Sequence, residues 1–173
     1  IFAEVAHARA TRSELPIAIV QDGAPELWNL MSAACQQRGI VPSVEMIDRY
    51  HLDEHLAAAL ELVAATDGCA AAVRRRWAAS LDGSDTAIVR IGRDLDRIYH
   101  AVTWNARLPP HLAPYLRRHV RGDKLAELSR HIEYVRNNRG RMKYAGASRR
   151  GFPIGSGVTE GACKSVITVR CKR

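Results

Sequence analysis

Three carboxylates in this sequence stand where a phosphoryl-transfer site could use them. Asp22 follows the strand-like run 16–21, and Asp48 follows a second strand-like run, 44–47. Glu160 lies far downstream, among several glycines at the start of a helix-like segment. Acids that are distant in sequence but meet at the ends of strands and helices can hold divalent metal ions through their oxygen atoms. The three residues therefore suggest a metal-dependent phosphoryl-transfer site.

Each of these acids also has a plain structural explanation. Asp-Gly pairs such as residues 22–23 are common in turns, and strand-ending aspartates often cap the following helix. Asp48 could cap a helix that begins near Tyr50. Glu160 suits the first turn of a helix because the helix dipole favours a negative charge there, with Ser156 as an ordinary N-cap. The residues alone leave both explanations open.

A strand, a helix and a second strand must position the first two acids. Apolar β-branched residues in 16–21 and 40–47 predict the strands, and Pro25 can begin a helix that extends to about Gly39. A βαβ unit makes its two strands parallel neighbours, with their carboxyl ends at one edge of the sheet. Open α/β sheets bind ligands at that edge. We therefore expect Asp22 and Asp48 to lie close together there.

The rest of the chain has a helical pattern. Apolar residues at helical spacing predict helices at about 52–63, 72–81, 85–105 and 125–135. Residues 136–150 are polar, basic and contain glycine, which predicts a basic loop. Basic side chains of this loop and of the C-terminal segment are candidates for phosphate contacts. These candidates are Arg139, Arg141, Lys143, Arg149, Arg150, Lys164, Arg170 and Lys172.

The composition of the chain limits the classes of protein to which it can belong. The 173 residues can bury one sizeable core, and a net charge of +8 favours a polyanionic partner. No apolar run approaches the length of a membrane span, and the four cysteines show no CxxC spacing. We expect a cytoplasmic protein with reduced thiols and no membrane partner. Because the chain begins at Ile1 rather than Met, we also expect a fragment of a longer protein.

One local motif indicates different chemistry. Residues 51–55 read HLDEH and match the H-x-x-E-H pattern of inverted zinc proteases. His51 and His55 would share a helix face and could hold zinc, with Glu54 as a general base. The pattern is short, it needs a third ligand that the sequence does not identify, and Leu52 and Leu56 put an ordinary core stripe beside the histidines. Surface or hydrogen-bonding roles explain both histidines equally well.

Three segments together resemble the catalytic half of DDE-type bacterial insertion-sequence transposases. They are residues 21–28 (QDGAPELW), 47–51 (IDRYH) and 153–164 (PIGSGVTEGACK), and the closest match is to the Kra group and its relatives. The resemblance covers essentially the whole chain. It implies an α/β fold that is mostly α by residue count, with a partial RNase H-like core and a large all-helical insertion. Residues 1–65 would form the partial core, 66–150 the insertion with the basic loop, and 151–173 the truncated catalytic helix.

The family's chemistry assigns roles to the acids. Three carboxylates hold two Mg²⁺ or Mn²⁺ ions, of which one activates water or a DNA 3′-hydroxyl and the other stabilises the leaving oxygen. By position, Asp22 resembles the second acid of the triad and Glu160 the third, both as metal ligands. Asp48 resembles the family's additional acid after the next strand. Supporting positions in the matched segments are His51, Gly155, Ser156 and Gly157.

The sequence departs from the family pattern in one respect. The first catalytic aspartate belongs on an earlier strand, and neither Glu4 nor Glu14 lies in such a strand-like run. We therefore expect this chain alone to be inactive or to bind metal weakly. The resemblance implies DNA, as transposon ends and target, and a homo-oligomer assembled on it. The alternatives are a noncatalytic basic nucleic-acid-binding domain and an RNase H-like nuclease.

Overall fold

The computed structural model describes residues 2–117 and 119–155, most of which are helical. The α-helices are α1 (Phe2–Thr11), α2 (Pro25–Gln37), α3 (Arg49–Val63), α4 (Asp67–Gly83), α5 (Ala87–Trp104), α6 (Gly122–Asn138) and α7 (Tyr144–Arg149). The strands are β1 (Ala18–Gln21) and β2 (Val44–Ile47), and 3-10 turns cover Ala113–Tyr115 and Arg139–Arg141. The expectation of a mostly α chain with a small sheet is confirmed, whereas the RNase H-like topology stays a prediction.

The two strands form a parallel sheet with α2 as the connection between them. Ala18 pairs with Val44 at one end of the ladder, and Gln21 pairs with Ile47 at the other. The backbone amide of Asp48 donates to the carbonyl oxygen of Gln21 at 2.8 Å, so the pairing continues to the residue after β2. The parallel βαβ arrangement expected from the sequence is therefore confirmed.

Helix α2 contributes Trp28 and Cys35 to the core rather than its leucines. Trp28 and Cys35 are its buried side chains, whereas Leu27 and Leu30 are exposed. The sequence predicted the helix correctly, but Leu27 and Leu30 lie outside the core.

Helices α3 to α6 form a four-helix arrangement beside the sheet. Helix α3 packs against α4 and α6, and α5 packs against the same two helices. This ring of contacts puts the α3–α6 groove and the α4–α5 groove on opposite sides of the bundle. After α5, the chain returns to the end of α3 through a bridge between Ala64 and Leu116. The interior of the bundle contains Leu52, Leu56, Leu60, Val73, Trp77, Leu81, Ile88, Leu95, Ile98, Leu128 and Ile132.

The prediction of a basic loop over residues 136–150 is wrong. Helix α6 continues to Asn138, the 3-10 turn Arg139–Arg141 follows, and α7 occupies Tyr144–Arg149. Apolar side chains are interleaved with the basic ones in this segment, and Met142, Tyr144 and Ala147 are buried in the core. Their burial removes apolar surface from water and orders the segment. The basic residues therefore project from short helices rather than from a loop.

One continuous cluster of buried side chains includes residues of both strands and of every helix from α2 to α7. The division of the chain at residues 65/66 and 150/151 stays a prediction. No helix in the described ranges is long and apolar enough to cross a membrane.

Candidate functional site

Strand pairing brings Asp22 and Asp48 to the same edge of the sheet. Gln21 and Ile47 are the last paired residues of the two strands, and Asp22 and Asp48 immediately follow them. Asp22 is exposed, whereas Asp48 is buried, with 7% of its surface accessible. The edge therefore presents one solvent-facing acid and one acid enclosed by the fold. The parallel arrangement predicts the shared edge but not this difference in burial. Their catalytic roles stay a prediction.

Both aspartates also order the backbone around them. Asp22 Oδ1 accepts a hydrogen bond of 3.0 Å from the amide of Ala24, which closes the turn before α2. Asp48 Oδ1 accepts one of 2.8 Å from the amide of Tyr50 and caps α3. Capping satisfies an amide that would otherwise lack a partner at the helix start. The structural explanation of these acids is therefore correct, and it is compatible with a further role for the carboxylates.

The chain returns to this edge after α7. The amide of Arg49 donates to the carbonyl oxygen of Ile154 at 3.0 Å. Gly155 lies directly against Asp48, and a Cβ atom at this position would be 3.3 Å from Asp48 Oδ1. The segment that leads toward Glu160 therefore passes the carboxyl end of β2. Six predicted site residues lie outside the described residues: Ser156, Gly157, Glu160, Lys164, Arg170 and Lys172.

A histidine–tyrosine cluster, composed of His51, His55, His131 and Tyr134, connects α3 and α6 beside the acids. The Tyr134 hydroxyl donates to the backbone carbonyl of Asp22 at 2.7 Å, and its ring stacks on His55 with centroids 3.6 Å apart. The Nδ1 atoms of His55 and His131 are 2.9 Å apart, so one donates and the other accepts. The His51 ring is 5.5 Å from that of His55. His51 thus lies beside the edge, as part of this cluster.

Burial disfavours charge on His55. Burial, together with the positive charges that His131 and His51 carry when protonated, lowers the pKa of His55 to about 4, so this imidazole is neutral at neutral pH. Burial also lowers the pKa of His131. For Tyr134, burial raises the pKa of the phenol, and the negative charges of Asp22 and Asp48 add to the effect. The phenol therefore keeps its proton and remains a donor to Asp22.

Gly23 permits the close packing of α6 on the tip of β1. Its φ of 97° lies in the left-handed region that glycine adopts most easily. A Cβ atom there would be 2.9 Å from Ile47 Cδ1 and 3.2 Å from Tyr134 Cε2. The sequence indicated only a turn at residues 22–23. The contact with Tyr134 was not visible because that residue is more than a hundred positions away.

Arg49, like Tyr134, lies near this edge and was not among the predicted site residues. It is buried, with 9% of its surface exposed. Its Nη1 atom is 2.7 Å from Asp82 Oδ1, and its Nε atom is 3.1 Å from Asp53 Oδ1. Its guanidinium carbon also lies 5.2 Å from the Tyr144 ring centroid. Arg49 therefore joins the start of α3 to α4 and α7, next to Asp48.

The described residues do not form a complete metal site. Within residues 2–117 and 119–155, no group of three or more His, Cys, Asp or Glu is placed to hold a metal ion. This includes the H-x-x-E-H motif, where His51 Nδ1 lies 3.3 Å from Glu54 Oε2 and His55 is engaged with His131. Glu4 lies in α1 and Glu14 in a turn, so neither supplies a strand-borne first aspartate. Asp22 and Asp48 are carboxylates of the type that Mg²⁺ prefers.

The basic residues of the 136–150 segment differ in their availability. Arg141 is engaged internally, with its Nε atom 3.1 Å from Glu45 Oε2 and its guanidinium carbon 4.2 Å from the Trp28 ring centroid. Arg139, Lys143 and Arg149 are exposed. Arg150 is exposed too, although its guanidinium carbon lies 5.1 Å from the Phe152 ring centroid. The surface candidates for phosphate contact in this segment are therefore Arg139, Lys143, Arg149 and Arg150.

Comparisons with protein-family models, with curated proteins and with solved structures found no match to this chain. Support for a functional assignment therefore comes from the sequence motifs and from the geometry of the β1–β2 edge.

Proposed function

We propose that this chain is part of the catalytic domain of a DDE-type insertion-sequence transposase. The parent protein would cut and join DNA in the cytoplasm as a homo-oligomer assembled on the transposon ends. One observation carries the proposal most directly. Asp22 and Asp48 follow paired residues at the carboxyl ends of two parallel strands, and Gly155 lies against Asp48. Glu160 follows Gly155 by only five positions, within reach of the same edge.

In this proposal Asp22 and Glu160 are metal ligands, and Asp48 is the additional acid. Two Mg²⁺ ions would activate the attacking hydroxyl and stabilise the leaving oxygen. Asp22 suits a ligand role because it is exposed and uses Oδ1 for the Ala24 amide, while its Oδ2 atom has no hydrogen bond within the described part of the chain. Asp48 holds the first turn of α3 beside Gly155. Tyr134 holds the Asp22 backbone, so it is a positioning residue.

The metal site would need one further acid. The family pattern assigns a first aspartate to a strand that this sequence does not supply, and no acid of α1 takes that place. Two carboxylates hold a divalent cation less tightly than three, because each ligand contributes charge and displaces water. We therefore expect weak but specific Mn²⁺ binding by this chain and little cleavage of DNA by it alone.

A Mn²⁺ titration monitored by electron paramagnetic resonance tests the proposal. Asp22→Asn keeps the size of the side chain and an oxygen that can accept from Ala24, so the turn survives while the charge is lost. Asp22→Asn and Glu160→Gln should each weaken Mn²⁺ binding at least tenfold. Glu61→Gln, an exposed change near the far end of α3, is the matched control and should leave the affinity unchanged. Equal affinities in all four proteins would refute the proposed site.

A noncatalytic DNA-binding domain is the second candidate. It is favoured by the hydrogen bonds of Asp22 and Asp48, which explain both acids without a metal ion. In that case Asp22→Asn would change neither Mn²⁺ affinity nor DNA binding. Replacement of exposed basic residues such as Arg139 and Arg149 would still abolish DNA binding.

A further inference from the structure

A groove between α4 and α5 concentrates arginine side chains on the side of the bundle opposite the α3–α6 groove. The groove has a volume of about 330 Å³. Arg76 lines it from α4, and Arg90, Arg93 and Arg97 line it from α5. All four side chains are exposed. We refer to these four residues as the α4–α5 arginine groove.

Little negative charge compensates these arginines. Among the described residues, Asp94 is the one acid that lines the groove, and its Oδ2 atom lies 2.9 Å from His111 Nε2. The next acid on α5, Asp96, is held by Arg136 at 2.8 Å. The positive charges of the adjacent Arg74 and Arg75 are more balanced, because the surfaces that they border also contain acids of α3 and α4.

The arginines of the groove retain donors for a ligand. Arg76 Nη1 donates to the carbonyl oxygen of His111 at 3.4 Å, and Arg90 Nη1 donates to Thr86 Oγ1 at 3.1 Å. Neither contact neutralises a guanidinium charge. Arg93 and Arg97 make no hydrogen bond or ion pair with any other part of the chain that the structure describes. A guanidinium group presents five donors in a planar fork that matches phosphate oxygens.

The shape of the groove suits an extended anion. Arg90, Arg93 and Arg97 recur at helical spacing on one face of α5, over about 10 Å of helix axis. About three phosphates of one DNA strand occupy the same length along the duplex axis. Arg93 also borders the neighbouring α5–α6 groove, where Arg136 is paired with Asp96 and Arg139 is exposed. Arg139 therefore extends the positive surface across α5.

We propose that the α4–α5 arginine groove binds the phosphate backbone of duplex DNA, at a surface separate from the acid-bearing edge. The contacts are with phosphates, so binding is independent of sequence and sensitive to salt. This function goes beyond the metal-dependent reaction and does not depend on it. In a protein that also acts on DNA at the β1–β2 edge, the groove would hold a second stretch of duplex.

Fluorescence anisotropy with a labelled 20-base-pair duplex, in EDTA and over a range of salt concentrations, tests the proposal. The groove variant is Arg90→Gln/Arg93→Gln/Arg97→Gln. The control variant, Arg74→Gln/Arg75→Gln/Arg117→Gln, removes the same charge from exposed positions outside the groove. The groove variant should bind at least tenfold more weakly, and its slope of log affinity against log salt should be shallower by about 2 to 3. The control should change affinity by less than threefold.

Several outcomes would overturn the proposal. Equal losses in the two triple variants would mean that net charge alone matters, and no loss in the groove variant would exclude the groove. Single-stranded RNA of the same length is a further comparison. If it binds as tightly as the duplex, and if the groove variant loses as much affinity for it, the groove is not a duplex DNA site. If the triple variant unfolds, Arg97→Gln alone should still reduce the slope by about 0.9. The assay contains EDTA, so its outcome does not depend on the metal site.

Discussion

The hydroxyl of Tyr134 donates a hydrogen bond of 2.7 Å to the backbone carbonyl of Asp22, a residue 112 positions earlier in the chain. The contact ties the C-terminal part of α6 to the tip of β1. The Tyr134 ring also stacks on His55 of α3, so the same residue joins the sheet edge to two helices of the bundle. The bundle therefore helps to fix the backbone that carries Asp22.

We predict that Tyr134→Phe loosens the Asp22 turn. The change removes one hydrogen bond and keeps the stacked ring, so it should lower the free energy of unfolding by about 1 kcal/mol. It should also weaken Mn²⁺ binding. Tyr99→Phe is the control, since the Tyr99 hydroxyl makes no hydrogen bond within the described part of the chain. Urea unfolding curves that are the same for the two variants would show that the contact contributes nothing.

We predict that Gly23→Ala is more destabilising than Gly39→Ala. Both glycines have a positive φ, 97° and 61°, so both substitutions carry backbone strain. Only at Gly23 would the new Cβ atom also meet Ile47 and Tyr134, because nothing lies within 4 Å of that position at Gly39. The Gly39 variant should lose about 1 kcal/mol and the Gly23 variant about 2–4 kcal/mol. Chemical denaturation measures both losses, and equal values would contradict the close packing of α6 on β1.

We predict that stability falls as pH falls from about 6.5 to about 4. Burial lowers the pKa of His55 from its ordinary 6.5 to about 4, so the unfolded chain binds more protons than the folded chain between these values. Neutral His55 is therefore compatible with the fold above pH 6.5, and protonation of the unfolded state lowers the stability in acid. The lowered pKa of His131 acts in the same direction, although Glu127 opposes it. Urea midpoints at several pH values measure the effect.

His55→Gln should flatten the pH dependence in this range. His119→Gln, at an exposed position before α6, is its control and should leave the curve unchanged. A His55→Gln protein with the original pH dependence would contradict the role of the cluster.

We predict that Arg49→Lys costs more stability than Arg136→Lys. Lysine keeps the charge but cannot reproduce the planar fork with which Arg49 contacts Asp53 and Asp82. The loss should be about 1–3 kcal/mol, because the arginine is buried, although its partner Asp82 is exposed. Arg136 and its partner Asp96 are both largely exposed, so that change should cost less than about 0.5 kcal/mol. Equal unfolding midpoints would show that the Arg49 network is not what joins α3 to α4.

Local sequence pattern was sufficient for the strands and most helices. The β-branched residues of 16–21 and 44–47 and the Pro25 start of α2 indicated a βαβ unit, which fixes where Asp22 and Asp48 lie. The pattern failed at 136–150, because frequent arginines hid the apolar residues Met142, Tyr144 and Ala147 that bury against the core. A charged side chain indicates that its own residue is exposed, but it does not exclude that residue from a short helix.

The rest of the site depends on contacts that no local pattern contains. The H-x-x-E-H motif suggested zinc, but His55 instead contacts His131 and Tyr134 on another helix. Arg49 lies in the matched segment 47–51, but nothing in that segment indicates its contact with Asp82 on α4. Such pairs are set by the packing of helices against each other, which spacing within one segment does not determine.

A crystal structure of the chain grown with Mn²⁺, with anomalous scattering data at the manganese edge, tests the central claim most directly. We predict a manganese ion at the carboxyl ends of β1 and β2, with oxygens of Asp22 and Glu160 about 2.0–2.6 Å from it and with Asp48 beside it. A manganese-free edge, or a Glu160 side chain on another face of the molecule, would contradict it.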